Sequence, residues 1–201
     1  MKIYTLTLNE LDSARTVFET NEPRDLFYRA ATELVELALR KATSLTVTEA
    51  LAVLLQTWNR SFYQYRRFDT QHFHDIEELI NDHPNVLVEF RNRSLVSLND
   101  DDEYPIQEVF QDFENVLGPV GAAKALHLLA PRFFPIWDRA IAKSYQLPLG
   151  RAGTNGNRYY SFMKIAEEQV RSIGGMDAIK RNLLKAIDEY NYCKYTKRWI
   201  T

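Results

Sequence analysis

The chain has 201 residues, 45% apolar and 26% charged, with a net charge of −2; this is the balance of one globular domain, or of two small lobes on a shared core. No apolar run approaches the roughly 18 residues needed to cross a bilayer, and the opening MKIYTLTLNE lacks the apolar core and small-residue cleavage site of a secretory signal. The single cysteine, Cys193, excludes an intrachain disulfide and an all-cysteine metal or iron–sulfur site. The expected setting is cytoplasmic, with no membrane partner.

In chain order, PRDLFYRAATELVELALRKA (23–42) places Leu26, Phe27, Ala30, Leu34, Leu37 and Ala38 at helical steps of three and four. TVTE (46–49) is a capping box opening ALAVLLQTWNRSFYQY, whose wide apolar stripe predicts a central helix. TQHFHDIEELINDHP is a shorter helix that Pro84 is expected to end. NVLVEFRNRSLVSL (85–98) fits helix and strand equally. LNDDDEYP (98–105) is expected to be a solvated acidic loop and the boundary between lobes, with Pro105 near the start of helix PIQEVFQDFENVL (105–117). There follow GPVGAAKALHLLAPRFFPIWDRA (118–140), a helix RAIAKSYQL, a glycine-rich loop PLGRAGTNGN (148–157), a helix RYYSFMKIAEEQVRSI, a Gly-Gly break and a last helix from about 176. The expected fold is all-α: about eight helices in a two-lobed bundle, 1–104 forming an N-terminal lobe and 105–201 a second lobe on the same core.

Charge is unevenly spread. Residues 1–117 hold 11 Lys+Arg against 21 Asp+Glu, and residues 118–201 hold 14 against 6. A basic lobe can bind phosphates whatever the average charge, although solvated charges also segregate without a partner.

The stretch 118–140 has its own logic. Gly118 suits the left-handed conformation past a helix end, Pro119 and Gly121 tighten the turn, and AAKALHLLA restarts a helix. Free N–H groups at a helix start, in a turn without bulky side chains, can hold a phosphate oxygen. Pro131 and Pro135 bound an aromatic segment leading to Asp138.

These residues resemble the hairpin and catalytic aspartate of the helix-hairpin-helix DNA glycosylase superfamily. Val120, Gly121, Ala125, Leu128 and Leu129 fit the hairpin pattern, placing a helix-hairpin-helix element at 105–130; Asp138, after Pro135 and before Ile141, stands where that family has its aspartate. Pro119 replaces the usual first glycine, and the linker from Gly121 to Asp138 is short for the family. Bifunctional relatives carry a Schiff-base lysine two residues after the second hairpin glycine, where this chain has Ala123; Lys124 is one step further, a rotation of roughly 100° on a helix. The resemblance therefore implies a monofunctional enzyme that cleaves the N-glycosidic bond with water.

That chemistry needs a carboxylate beside C1′, to stabilise oxocarbenium character and orient water, and a base rotated out of the duplex. Asp138 is the expected catalytic residue, against the simpler role of capping RAIAKSYQL. Gly118, Val120, Gly121, Ala122, Lys124, Arg132, Arg139, Lys143, Arg151 and Arg158 are the expected DNA contacts, and Trp137, Tyr159 and Tyr160 the candidate pocket or wedge aromatics. No cofactor is expected beyond a monovalent cation at the hairpin; the partner is double-stranded DNA and the protein a monomer. RSFYQYRRF (60–68) interleaves arginines with aromatics, as a nucleic-acid surface does, although helical burial explains the aromatics equally well. His72, His74 and His83 form no complete metal motif. Two further readings stay open: a non-catalytic helix-hairpin-helix DNA-binding module, and a helical interaction protein with no nucleic-acid partner.

Overall fold

The structure, a computed structural model, describes residues 5–201; the first four residues of the N-terminal stretch considered above lie outside it. Among the described residues every regular element is helical: ten helices, eight of them at least seven residues long, and no strand. None is long and apolar enough to cross a membrane.

Helix α1 (Leu8–Asn21) opens on a capping box between Thr7 and Glu10 and buries Leu11, Ala14 and Phe18. Helix α2 (Asp25–Leu39) packs on α3 (Val47–Trp58), which starts at the expected Thr46–Glu49 box. The predicted continuation of α3 is interrupted at Asn59, the junction with a single turn, α4 (Arg60–Tyr63). Helix α5 (Thr70–Asp82) ends before Pro84, but Pro84 then opens α6 (Pro84–Arg91), where its missing N–H costs nothing. This settles the ambiguous segment as helix followed by a 3₁₀ turn, Leu95–Ser97.

The acidic run is mostly exposed to solvent, as expected, but it is helical rather than a loose linker. Asp100–Asp102 forms a 3₁₀ turn capped by Asn99, and buried Asp102 accepts two hydrogen bonds from the Arg93 guanidinium, both 2.6 Å. Helix α7 (Glu103–Leu129) follows directly, and a short helix α8 (Arg139–Ser144), α9 (Gly156–Ile173) and α10 (Leu183–Asn191) complete the chain. The last helix begins at 183 rather than 176, because Asn182 supplies the cap. One apolar cluster runs from Leu6 to Tyr190, with α1 packed on α10 and α7 on α9.

Gly118 interrupts α7 at φ 70°, ψ 166°, a conformation open to glycine. Asn59 and Phe62 hold the break from outside: Asn59 Nδ2 donates to the Leu117 carbonyl at 3.1 Å, and the Phe62 ring lies where a side chain on Gly118 would go. A Cβ on Gly121 would lie 2.5 Å from Asn59 Nδ2 and 2.9 Å from Leu117 Cβ. Gly121→Val is therefore expected to destabilise the fold by about 2–4 kcal/mol, combining overpacking with the lost Asn59 bond. An unchanged urea midpoint would refute this account of the turn.

Candidate functional site

Past the break, α7 is almost wholly buried and carries two polar side chains inward. His127 is clamped between Tyr28 Oη (2.9 Å) and the Phe134 carbonyl (2.8 Å), and burial pushes its pKa down to about 4. The neutral ring therefore donates from Nδ1 to Phe134 and accepts at Nε2 from Tyr28. This fixes the Pro131–Pro135 segment, whose Phe133 and Phe134 are buried, with Phe133 stacked on Phe90 at 4.4 Å. Trp137 Nε1 then donates to the Pro119 carbonyl at 3.0 Å, tying the segment back to the turn.

Asp138 comes next in the chain and has two roles. Its Oδ1 accepts from the Ile141 N–H at 2.8 Å, capping α8, and its Oδ2 accepts from Thr196 Oγ1 at 2.6 Å. These bonds fix the side chain, while Asp138 also lines two neighbouring spaces that share Arg24, Trp58, Lys124 and Tyr192 in their walls. The outer one is a groove of about 1030 Å³ along Gly118, Pro119, Val120 and the start of α8. Seven cationic side chains line it: Arg24, Arg66, Lys124, Arg139, Lys143, Lys197 and Arg198. Asp138 is the sole carboxylate among its described lining residues. The inner space is a cavity of about 60 Å³, walled by Phe18, Trp58, Ile136, Trp137 and Tyr192, with Glu22, Arg24, Lys124, Asp138 and Asp188 as its charged groups.

Lys124 is not the surface cation expected of a phosphate contact. It is 7% exposed, and its Nζ donates to the Trp58 carbonyl. Burial pushes its pKa down to about 8, against the opposing pull of Asp188 and Asp138. The one-residue offset does not take it out of the site, because both it and Asp138 reach the cavity. Asp188, on α10, is pushed up to about 7 by burial and by the nearby Asp138 and Glu189 carboxylates, although Lys185 and Lys124 pull the other way. At the mouth, Arg24 holds Glu22 through Nε (2.7 Å) and Nη2 (2.5 Å), and Tyr192 Oη donates to the same carboxylate at 2.6 Å. The two partners overcome the effect of burial and hold Glu22 at about 2, an anion throughout the neutral range. Comparison with known protein families, with curated proteins and with solved structures finds no match.

The fold brings Gly118, Val120, Lys124, Trp137, Asp138, Arg139 and Lys143 together. Gly121 and Ala122 are buried beneath the turn. Three expected DNA contacts lie off the groove lining: Arg132 pairs with Asp177 at 2.9 Å, Arg151 sits in the glycine-rich loop, and Arg158 donates to the Thr154 carbonyl at 3.0 Å. That loop is anchored inward, since Asn155 donates to the buried Glu114 carboxylate and accepts from Gly150 N–H at 2.7 Å. Tyr159 and Tyr160 are core residues rather than pocket walls. Tyr159 donates to the Pro135 carbonyl (2.7 Å) and stacks on Phe110 at 4.1 Å; Tyr160 is buried and donates to the Asn99 carbonyl at 3.3 Å. Arg24, Trp58, Asp188, Tyr192 and Lys197 join the site from distant parts of the chain.

Proposed function

We propose that the protein is a DNA glycosylase that grips duplex DNA along this groove, rotates a damaged or modified base out of the stack and cleaves its glycosidic bond at Asp138. The carrying observation is a groove rich in cations in which Asp138 is the one carboxylate among the described lining residues, the same Asp138 also lining an aromatic-walled cavity. Phosphates favour the cations, and a cationic sugar in the transition state favours the single anion. The broken helix around Gly118 serves as the helix-hairpin-helix grip, with Gly118, Pro119 and Val120 lining the groove and the helix after them buried. In this reaction the C1′–N bond breaks with its electron pair leaving on the base, and water, oriented by Asp138, adds to C1′. The test is incubation with duplexes carrying oxidised, alkylated or otherwise decorated bases, scored for alkali-labile abasic sites. Salt-sensitive duplex binding without base release would instead favour a binding module, and no binding at low salt would favour a partner other than DNA.

A second route to the same bond cleavage has a specific observation in its favour. Lys124 faces the cavity with its proton loosened by burial, as an amine nucleophile requires. If the amine attacks C1′, borohydride in the presence of an abasic duplex will reduce the resulting imine and leave protein and DNA covalently joined. Lys124→Met is then expected to abolish the cross-link and to reduce base release at least a hundredfold. Full release by this variant with no cross-link in the wild type assigns the attack to water.

A further inference from the structure

Tyr65 is 92% exposed, the most exposed of the large hydrophobic side chains among the described residues, and lines the groove. Full exposure of an aromatic ring forgoes the burial that normally makes such residues stabilising. Four residues around it are held in place. Asn59 is tied to Leu117, Phe62 lies against Gly118, Tyr63 Oη bonds His72 Nε2 at 3.0 Å, and Arg66 pairs with Asp75 at 2.9 Å. The backbone between them is pinned by the N–H groups of Tyr65 and Arg66, both donating to the Phe62 carbonyl at 3.1 Å. The segment 59–66 is thus a fixed support resting on the Gly118 turn, and it holds one ring out beside that turn.

A base rotated out of a duplex leaves a gap in the stack, and an aromatic ring is the side chain best suited to fill it. We infer that Tyr65 is the wedge of this protein: its ring enters the duplex where the extruded base had been, while the Gly118 turn and the groove cations hold the flanking phosphates. This inference rests on the DNA reading proposed above and adds the residue that opens the stack. It also gives the arginine–aromatic alternation of 60–68 a division of labour, Phe62 and Tyr63 packing inward and Tyr65 outward.

The test needs no knowledge of the excised base. Binding is measured for two otherwise identical duplexes, one intact and one containing a tetrahydrofuran abasic analogue, which offers the gap already open. Wild-type protein is expected to bind the gapped duplex at least about tenfold more tightly. Tyr65→Ala should lower that preference to about twofold or less, read as the ratio of its two affinities so that any general loss of groove binding cancels, and Tyr65→Phe should retain the preference. Equal preference in Tyr65→Ala and wild type, or no preference in the wild type, overturns the wedge assignment and leaves DNA binding intact. Failure of wild-type protein to bind either duplex at low salt removes the DNA reading itself, and the wedge with it.

Discussion

Asp138→Asn is expected to reduce single-turnover base release by about 10²–10⁴-fold while leaving the fold intact. The two effects separate because the carboxylate has two roles. As a cap it needs only one oxygen to accept from the Ile141 N–H, and asparagine is as good a cap as aspartate. The bond from Thr196 can reverse, with the asparagine amide donating to the hydroxyl. As an anion in a groove of cations, however, Asp138 has no substitute among the groove's described lining residues. Thermal unfolding of the variant should stay within about 1 kcal/mol of wild type, whereas Asp138→Ala should lose about that amount through the missing cap. Wild-type rates in Asp138→Asn would rule out the proposed chemistry; a collapsed melting transition would mean that the residue is chiefly structural.

The second large effect concerns stability. Asp188 has its pKa pushed up to about 7, so between about pH 4 and 7 the folded chain holds a proton that the unfolded chain has released. Stability therefore falls as pH rises through that window, by at most roughly 4 kcal/mol for a shift of this size. Asp188→Asn removes the penalty: it should be more stable than wild type at pH 8 and equal to it near pH 4. Lys124 has the opposite sign. Its pKa is pushed down to about 8, so its contribution improves as pH rises from about 8 toward the ordinary lysine value and is lost as pH falls back through 8. Removing the Asp188 anion also withdraws a group that favours the Lys124 ammonium, offsetting part of the gain. Melting curves from pH 4 to 9 for wild type and Asp188→Asn test this directly; parallel profiles would show that Asp188 is not the titrating group.

The local half of the site was legible in the sequence. Gly118, Pro135 and Asp138 act through turn and capping chemistry, which depends on near neighbours and is written in the order of residues. Helix α1 was not read from the sequence, because its buried positions, Leu11, Ala14 and Phe18, are sparse and interspersed with polar and charged residues; its Thr7–Glu10 capping box emerged only with the structure. Lys124 misled because helical rotation specifies a direction but not what stands there; the facing wall is Trp58, from another helix. Within the acidic run, the burial of Asp102 was not legible, since it depends on Arg93, nine residues upstream. Arg24, Asp188 and Tyr192 carry no local motif. They become site residues only when α1 packs on α10 and α2 on α3, and pattern along one strand of sequence does not encode that convergence.

The inner cavity, at about 60 Å³, has room for about two water molecules and is too small for a nucleobase. Its walls come from α1, α3, α7, the Ile136–Asp138 segment, α10 and the turn after it. Under the reading proposed above, a base would enter only as these elements part slightly, and once inside it would touch them together. Occupancy would then act as a keystone between sequence-distant segments, slowing amide exchange in helices far from the DNA and raising the melting temperature through mass action. Under the glycosylase reading, recognition of the right base would be inseparable from tightening of the whole molecule.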